Sequence, residues 1–138
     1  MAKTFTAPFA QTPKTATAVA TLATSSITSD TPTNTVELLT AGPDGAIVTS
    51  LTAMPRATVT ASSLLLFLRS NGDAQVRLID SEVMGGHTVA STTAIPETRF
   101  ENISETKPLR LGAGDVLLVG SQVALAGGIV FKAEWTNF

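Results

Sequence analysis

From Ala46 to its last residue the chain is a succession of short apolar runs cut by glycine turns. That punctuation constrains the fold more than anything else in it. Ala46-Ile47-Val48-Thr49-Ser50-Leu51-Thr52-Ala53-Met54 is rich in β-branched residues, which suit a pleated, half-buried surface. Ile129-Val130-Phe131-Lys132-Ala133-Glu134-Trp135 alternates with period two: Ile129, Phe131, Ala133 and Trp135 fall on one face, Val130, Lys132 and Glu134 on the other. Between the runs stand Gly42-Pro43-Asp44-Gly45, Asn71-Gly72-Asp73, Gly112-Ala113-Gly114-Asp115 and Ala126-Gly127-Gly128, all turn signals. No window sustains helical periodicity.

The runs place strands over residues 35–40, 46–54, 58–70, 74–80, 109–111, 116–120 and 129–135. Residues 82–106 are less regular. Met84-Gly85-Gly86-His87 reads as a bend, residues 88–95 as extended chain, and 97–106 as a loop with a short strand around Arg99-Phe100. Asn71-Gly72 between two apolar runs predicts a hairpin. About eight strands at this spacing predict an all-β, antiparallel β-sandwich of jelly-roll-like form. Leu64 to Leu68 and Val116 to Val119 are apolar without interruption, which implies burial on both faces. One face meets the core, and the other is expected to meet a neighbouring subunit.

Residues 1–34 differ in composition. Thr, Ala, Ser and Pro dominate, and Pro8, Pro13 and Pro32 exclude a central strand where they stand. The domain is therefore expected over 35–138, preceded by an extended N-terminal arm over 1–34. Thr15 to Leu22 is compatible with a first strand of the domain. Phe5, Pro8 and Phe9 are the candidate partner-binding residues, because two aromatic rings flanked by Pro, Thr and Ala suit an extended segment laid over a neighbour.

The chemistry-bearing residues are sparse. Charged residues make up 14% of the chain against roughly 25% in an average protein. There is no cysteine and no tyrosine, and His87 is the one histidine. A redox role and a thiolate metal site are thereby excluded. His87 has no ligand partner at metal spacing, and no Asp-x-Asp-x-Asp calcium loop is present, so neither a metal nor a cofactor is expected. Asp80, Glu82, Glu97, Glu101 and Glu105 form a loose acidic group that reads as solvated loop acids. Asp44 and Asp115 lie in glycine turns, where a carboxylate caps the turn backbone. Neither a phosphate loop nor a Gly-x-Ser-x-Gly elbow occurs, and no enzyme is expected. The basic residues are scattered and the net charge is −2, which argues against nucleic acid. Mean hydropathy is +0.28. Yet no apolar run approaches the ~20 residues of a membrane helix, and Lys3 is followed by no signal-peptide core. High hydropathy with so little charge predicts a homo-oligomer.

Three stretches carry a resemblance: Val76-Arg77-Leu78-Ile79-Asp80-Ser81, the segment Leu109-Arg110-Leu111-Gly112-Ala113-Gly114-Asp115-Val116-Leu117-Leu118-Val119, and the ending Gly128 to Phe138. Over about residues 36–138 the chain resembles small jelly-roll structural proteins of tailed bacteriophages, of the kind that decorate capsids or build fibres. The resemblance implies a non-enzymatic virion component, commonly a trimer. Its partner would be the major capsid protein and its place the capsid surface, after synthesis in the host cytoplasm. A head-fibre, tail or baseplate part is the alternative within the virion. A carbohydrate-binding jelly roll is the alternative outside it, disfavoured by the scarcity of aromatic residues.

Overall fold

The computed structural model describes residues 12–138. Among them there is no helix, and nine strands form two antiparallel sheets. The strands are β1 (Thr12–Ala20), β2 (Val36–Thr40), β3 (Ala46–Pro55), β4 (Ser62–Arg69), β5 (Arg77–Met84), β6 (Thr98–Arg99), β7 (Leu109–Leu111), β8 (Val116–Ser121) and β9 (Ile129–Asn137). The first sheet runs β1-β9-β3, with β6 and β7 both along the far side of β3. The second runs β2-β8-β4-β5. The pairings are nested. β4 closes on β5, β3 takes β6 and β7, β2 takes β8, and β1 takes β9.

The two sheets share one apolar cluster. Val48, Leu51, Phe131 and Trp135 come from the first sheet, and Leu64, Leu66, Leu117 and Val119 from the second. The alternation of β9 is as read above: Ile129, Phe131, Ala133 and Trp135 are buried. In β3 the alternation slips by one, because the register shifts between Val48 and Ser50. That bulge lets Val48 and Leu51, three residues apart, face the same core. The Asn71-Gly72 hairpin forms as expected, with Asp73 N–H donating to Ser70 O at 3.0 Å and Gly72 at φ 79°.

Several boundaries differ from the expectation. The strand read over 58–70 is regular only from Ser62. Val59 makes an isolated bridge with His87 instead. The strand read over 74–80 starts later and runs on to Met84, because Val76 N–H is taken by Asp30 O at 3.0 Å rather than by the hairpin partner. Residues 88–95 hold no strand and carry a turn, with Thr93 N–H on Ala90 O. Thr12–Ala20, inside the segment read as an arm, pairs with β9 across nine positions, from Thr12 opposite Asn137 to Ala20 opposite Ile129. Pro13 is accommodated there because β1 is an edge strand.

The two-faced strands have an intramolecular explanation. Leu65, Phe67, Val116 and Leu118 point away from the shared core and form a second cluster with Ile27, Val76 and Leu78. Ile27 belongs to the connection between β1 and β2. Its neck is closed by Thr33 N–H on Ser25 O at 3.0 Å and by the Ser25 and Thr33 hydroxyls at 2.7 Å. Asn34 Nδ2 donates to Ala23 O at 2.9 Å. Ser26 and Asn34 sit at φ 56° and 57°, which lets the chain double back at both ends of the strap. Thr24 N–H bonds Ser121 O, and the Thr24 side chain lies against Gly120, where any Cβ would overlap its hydroxyl. The far end is fixed by the Asp30–Arg77 ion pair at 3.0 Å. Hydrogen bonding to Asp30 and its charge hold the Arg77 guanidinium above its usual pKa. For Leu65, Phe67, Val116 and Leu118 the expected neighbouring subunit is replaced by the chain's own strap, while Ile79 and Val83 of β5 stay exposed.

Candidate functional site

The residues most able to carry chemistry are dispersed. β5 is an edge strand whose Asp80 and Glu82 lie opposite Leu66 and Leu64, on the core side of the sheet. There they meet the loop after β6. Asn102 Nδ2 donates to Asp80 Oδ1 at 3.2 Å, and Glu101 N–H to Glu82 Oε1 at 3.2 Å. Asp80 Oδ2 is buried without a partner. Inward charge and the register shift between Leu66 and Phe67 blunt this edge against pairing with another chain. Glu97 stands apart, 4.0 Å from Arg99. No group of three or more His, Cys, Asp or Glu able to hold a metal forms among the described residues.

His87 is half-buried. Its backbone bridges Val59 in both directions at 2.9 Å, and its Nε2 is buried without a hydrogen-bond partner. Asp115 accepts Gly112 N–H at 2.9 Å and Asn71 N–H at 3.0 Å, so it caps its own turn and ties it to the β4–β5 hairpin. A depression of about 310 Å³ beside the strap is lined by Ile27, Thr28, Ser29, Asp30, Arg77 and Leu78. Its two charged groups already satisfy each other.

What the fold leaves open is surface. Phe5, Pro8 and Phe9 lie outside the described residues. The segment that carries them leads into Thr12, at the start of the edge strand β1 and opposite Asn137. Along β1, Pro13 and Lys14 blunt the first positions. Thr15-Ala16-Thr17-Ala18-Val19-Ala20 then presents an edge without charge or proline.

The outer face of the first sheet adjoins that edge. Residues directly opposite in antiparallel strands share a face. The register therefore sets cross-strand rows there: Val19, Val130 and Met54; Thr17, Lys132, Thr52 and Arg99; Thr15, Glu134 and Ser50; Pro13, Thr136, Ile47 and Arg110. In the central row Thr52 is buried between its cationic neighbours. The alternation of the last strand points to Lys132 and Glu134 on this face. Their alignment with Thr52, Arg99 and Arg110 depends on pairing between strands distant in sequence, which no local pattern carries.

Comparison with protein-family models, curated proteins and solved structures finds no match for this chain.

Proposed function

We propose that this chain is a non-enzymatic structural protein of a bacteriophage virion, a decoration or cement protein that binds the shell of the major capsid protein. The observation that carries the reading is the root of the N-terminal segment. Phe5, Pro8 and Phe9 precede an edge strand with an unpaired side, which is the arrangement a β-augmenting attachment arm requires. The resemblance of residues 36–138 to virion jelly rolls supplies the kind of partner.

The fold is read more finely here as a jelly-roll sandwich. Its support is the nested pairing order. With β6 and β7 counted as two pieces of one strand, the strands number eight, as two interlocked Greek keys require. Self-association as a homotrimer belongs to the same proposal. It rests on the low charge and on the resemblance, since the second apolar face is covered from within the chain.

Co-sedimentation tests the reading. Purified protein is mixed with particles assembled from the major capsid protein of the same genome and lacking this chain. The full-length protein is expected to pellet with the particles, and the protein lacking residues 1–11 to pellet less. Failure of the full-length protein to pellet at any salt concentration refutes the proposal.

A further inference from the structure

Resting on that proposed function, we infer that the outer face of the first sheet is the docking surface, and that it fits an acidic patch of the partner protein.

The two sheets differ in what covers them. On the second sheet's outer face the chain's own strap covers Leu65 and Phe67, and Val83 beyond it stays exposed. The first sheet's outer face keeps partly exposed Val19, Val130, Met54 and Ile47 among hydroxyls. Such a mixed face is the composition of a contact surface with apolar anchors and an adaptable polar rim.

The charge on it is opposite to that of the whole chain. The chain carries net −2. On this face Lys132, Arg99 and Arg110 stand against Glu134 and against Glu97, which reaches Arg99 at 4.0 Å. Elsewhere, Arg69 is taken by Glu37 at 2.7 Å and Arg77 by Asp30 at 3.0 Å. Lys132 and Arg110 make no ion pair among the described residues, and Arg99 has only the 4.0 Å contact with Glu97. A cationic face selects an acidic partner surface. The N-terminal segment enters at Thr12 on the edge of the same sheet.

Arg110→Glu and Lys132→Glu, singly and together, test this on the full chain, with Lys107→Glu in the loop before β7 as the control. Folding is checked by circular dichroism, and Arg110 is exposed enough to tolerate reversal. Affinity for the particles lacking this chain is measured between low and physiological salt. The double variant is expected to bind about tenfold or more weakly at low salt, with a flatter salt dependence, while the control binds as the native chain does. Native binding with undiminished binding by the folded variants overturns the docking surface and leaves the proposed function standing. A change of oligomeric state in light scattering, with particle binding unchanged, also overturns it and assigns the face to contacts between copies. No binding by the native chain removes the proposed function itself, and this partner with it.

Discussion

Phe67→Ala is the substitution that most sharply separates a self-covered second face from one covered by a neighbour. Phe67 is 0% exposed and points away from the core shared by the two sheets. A buried Phe removes about 150–250 Å² from water, and at ~25 cal/mol per Å² that is about 4–6 kcal/mol. This is an upper bound, because an unfolded chain already hides part of that area. Truncations of buried Phe to Ala cost about 3–5 kcal/mol, cavity included. Against a total stability of about 5–15 kcal/mol the loss is large but leaves a folded population to measure. Trp135 is the chain's one tryptophan and is 8% exposed, so its fluorescence reports urea unfolding without a label. The variant is expected to lose about 3–4 kcal/mol, and the loss is expected to be the same at micromolar and at hundredfold higher concentration, since the covering residue Ile27 is in the same chain. Ile27→Ala, at a half-buried site, is expected to lose about 1–2 kcal/mol. A Phe67→Ala loss below about 1 kcal/mol, or one that vanishes as protein concentration rises, refutes the strap as the cover.

Gly120→Ala places a methyl against the Thr24 hydroxyl and is expected to cost about 1–3 kcal/mol by overpacking, read in the same urea titration. Asp115→Ala removes the acceptor for Gly112 N–H and Asn71 N–H and is expected to cost about 1–2 kcal/mol, with faster amide exchange at both positions by NMR. Deletion of residues 1–11 stops short of β1 and is expected to leave the thermal midpoint unchanged while weakening attachment to particles. Deletion of residues 1–14 also removes Thr12, Pro13 and Lys14 from their pairing with β9 and is expected to lower the midpoint.

The parts of this fold that were legible in the sequence are those governed by neighbours in the chain. Period two in Ile129 to Trp135 identifies which side of β9 is buried. Asn71-Gly72 identifies a hairpin, because only a few residue pairs adopt its turn at low cost. The uninterrupted apolar run of β4 correctly signals burial on both faces. What covers the second face was not legible. The strap offers one large apolar residue, Ile27, in a Thr/Ser-rich segment that by composition reads as arm. It holds its place through backbone bonds to Ser121 and Val76 and through the Asp30–Arg77 pair. Those partners lie far off in sequence, so no local pattern announces them. The same limit applies to the outer face of the first sheet. Lys132 is visible as an outward residue of β9, but its row with Thr52 and Arg99 exists only once β3 lies between β9 and β6. The bulges in β2, β3 and β4–β5 are tertiary adjustments of register and left no mark in the alternation that local reading uses.

The most direct test of the account is an electron cryomicroscopy reconstruction of particles lacking this chain, after incubation with the purified protein. The account predicts added density at every equivalent position on the outside of the shell. That density should be shaped as a two-sheet domain, with its first sheet toward the shell and a continuous segment leading from Thr12 onto a capsid subunit. Density confined to a tail or a single vertex, or a shell left bare, contradicts it.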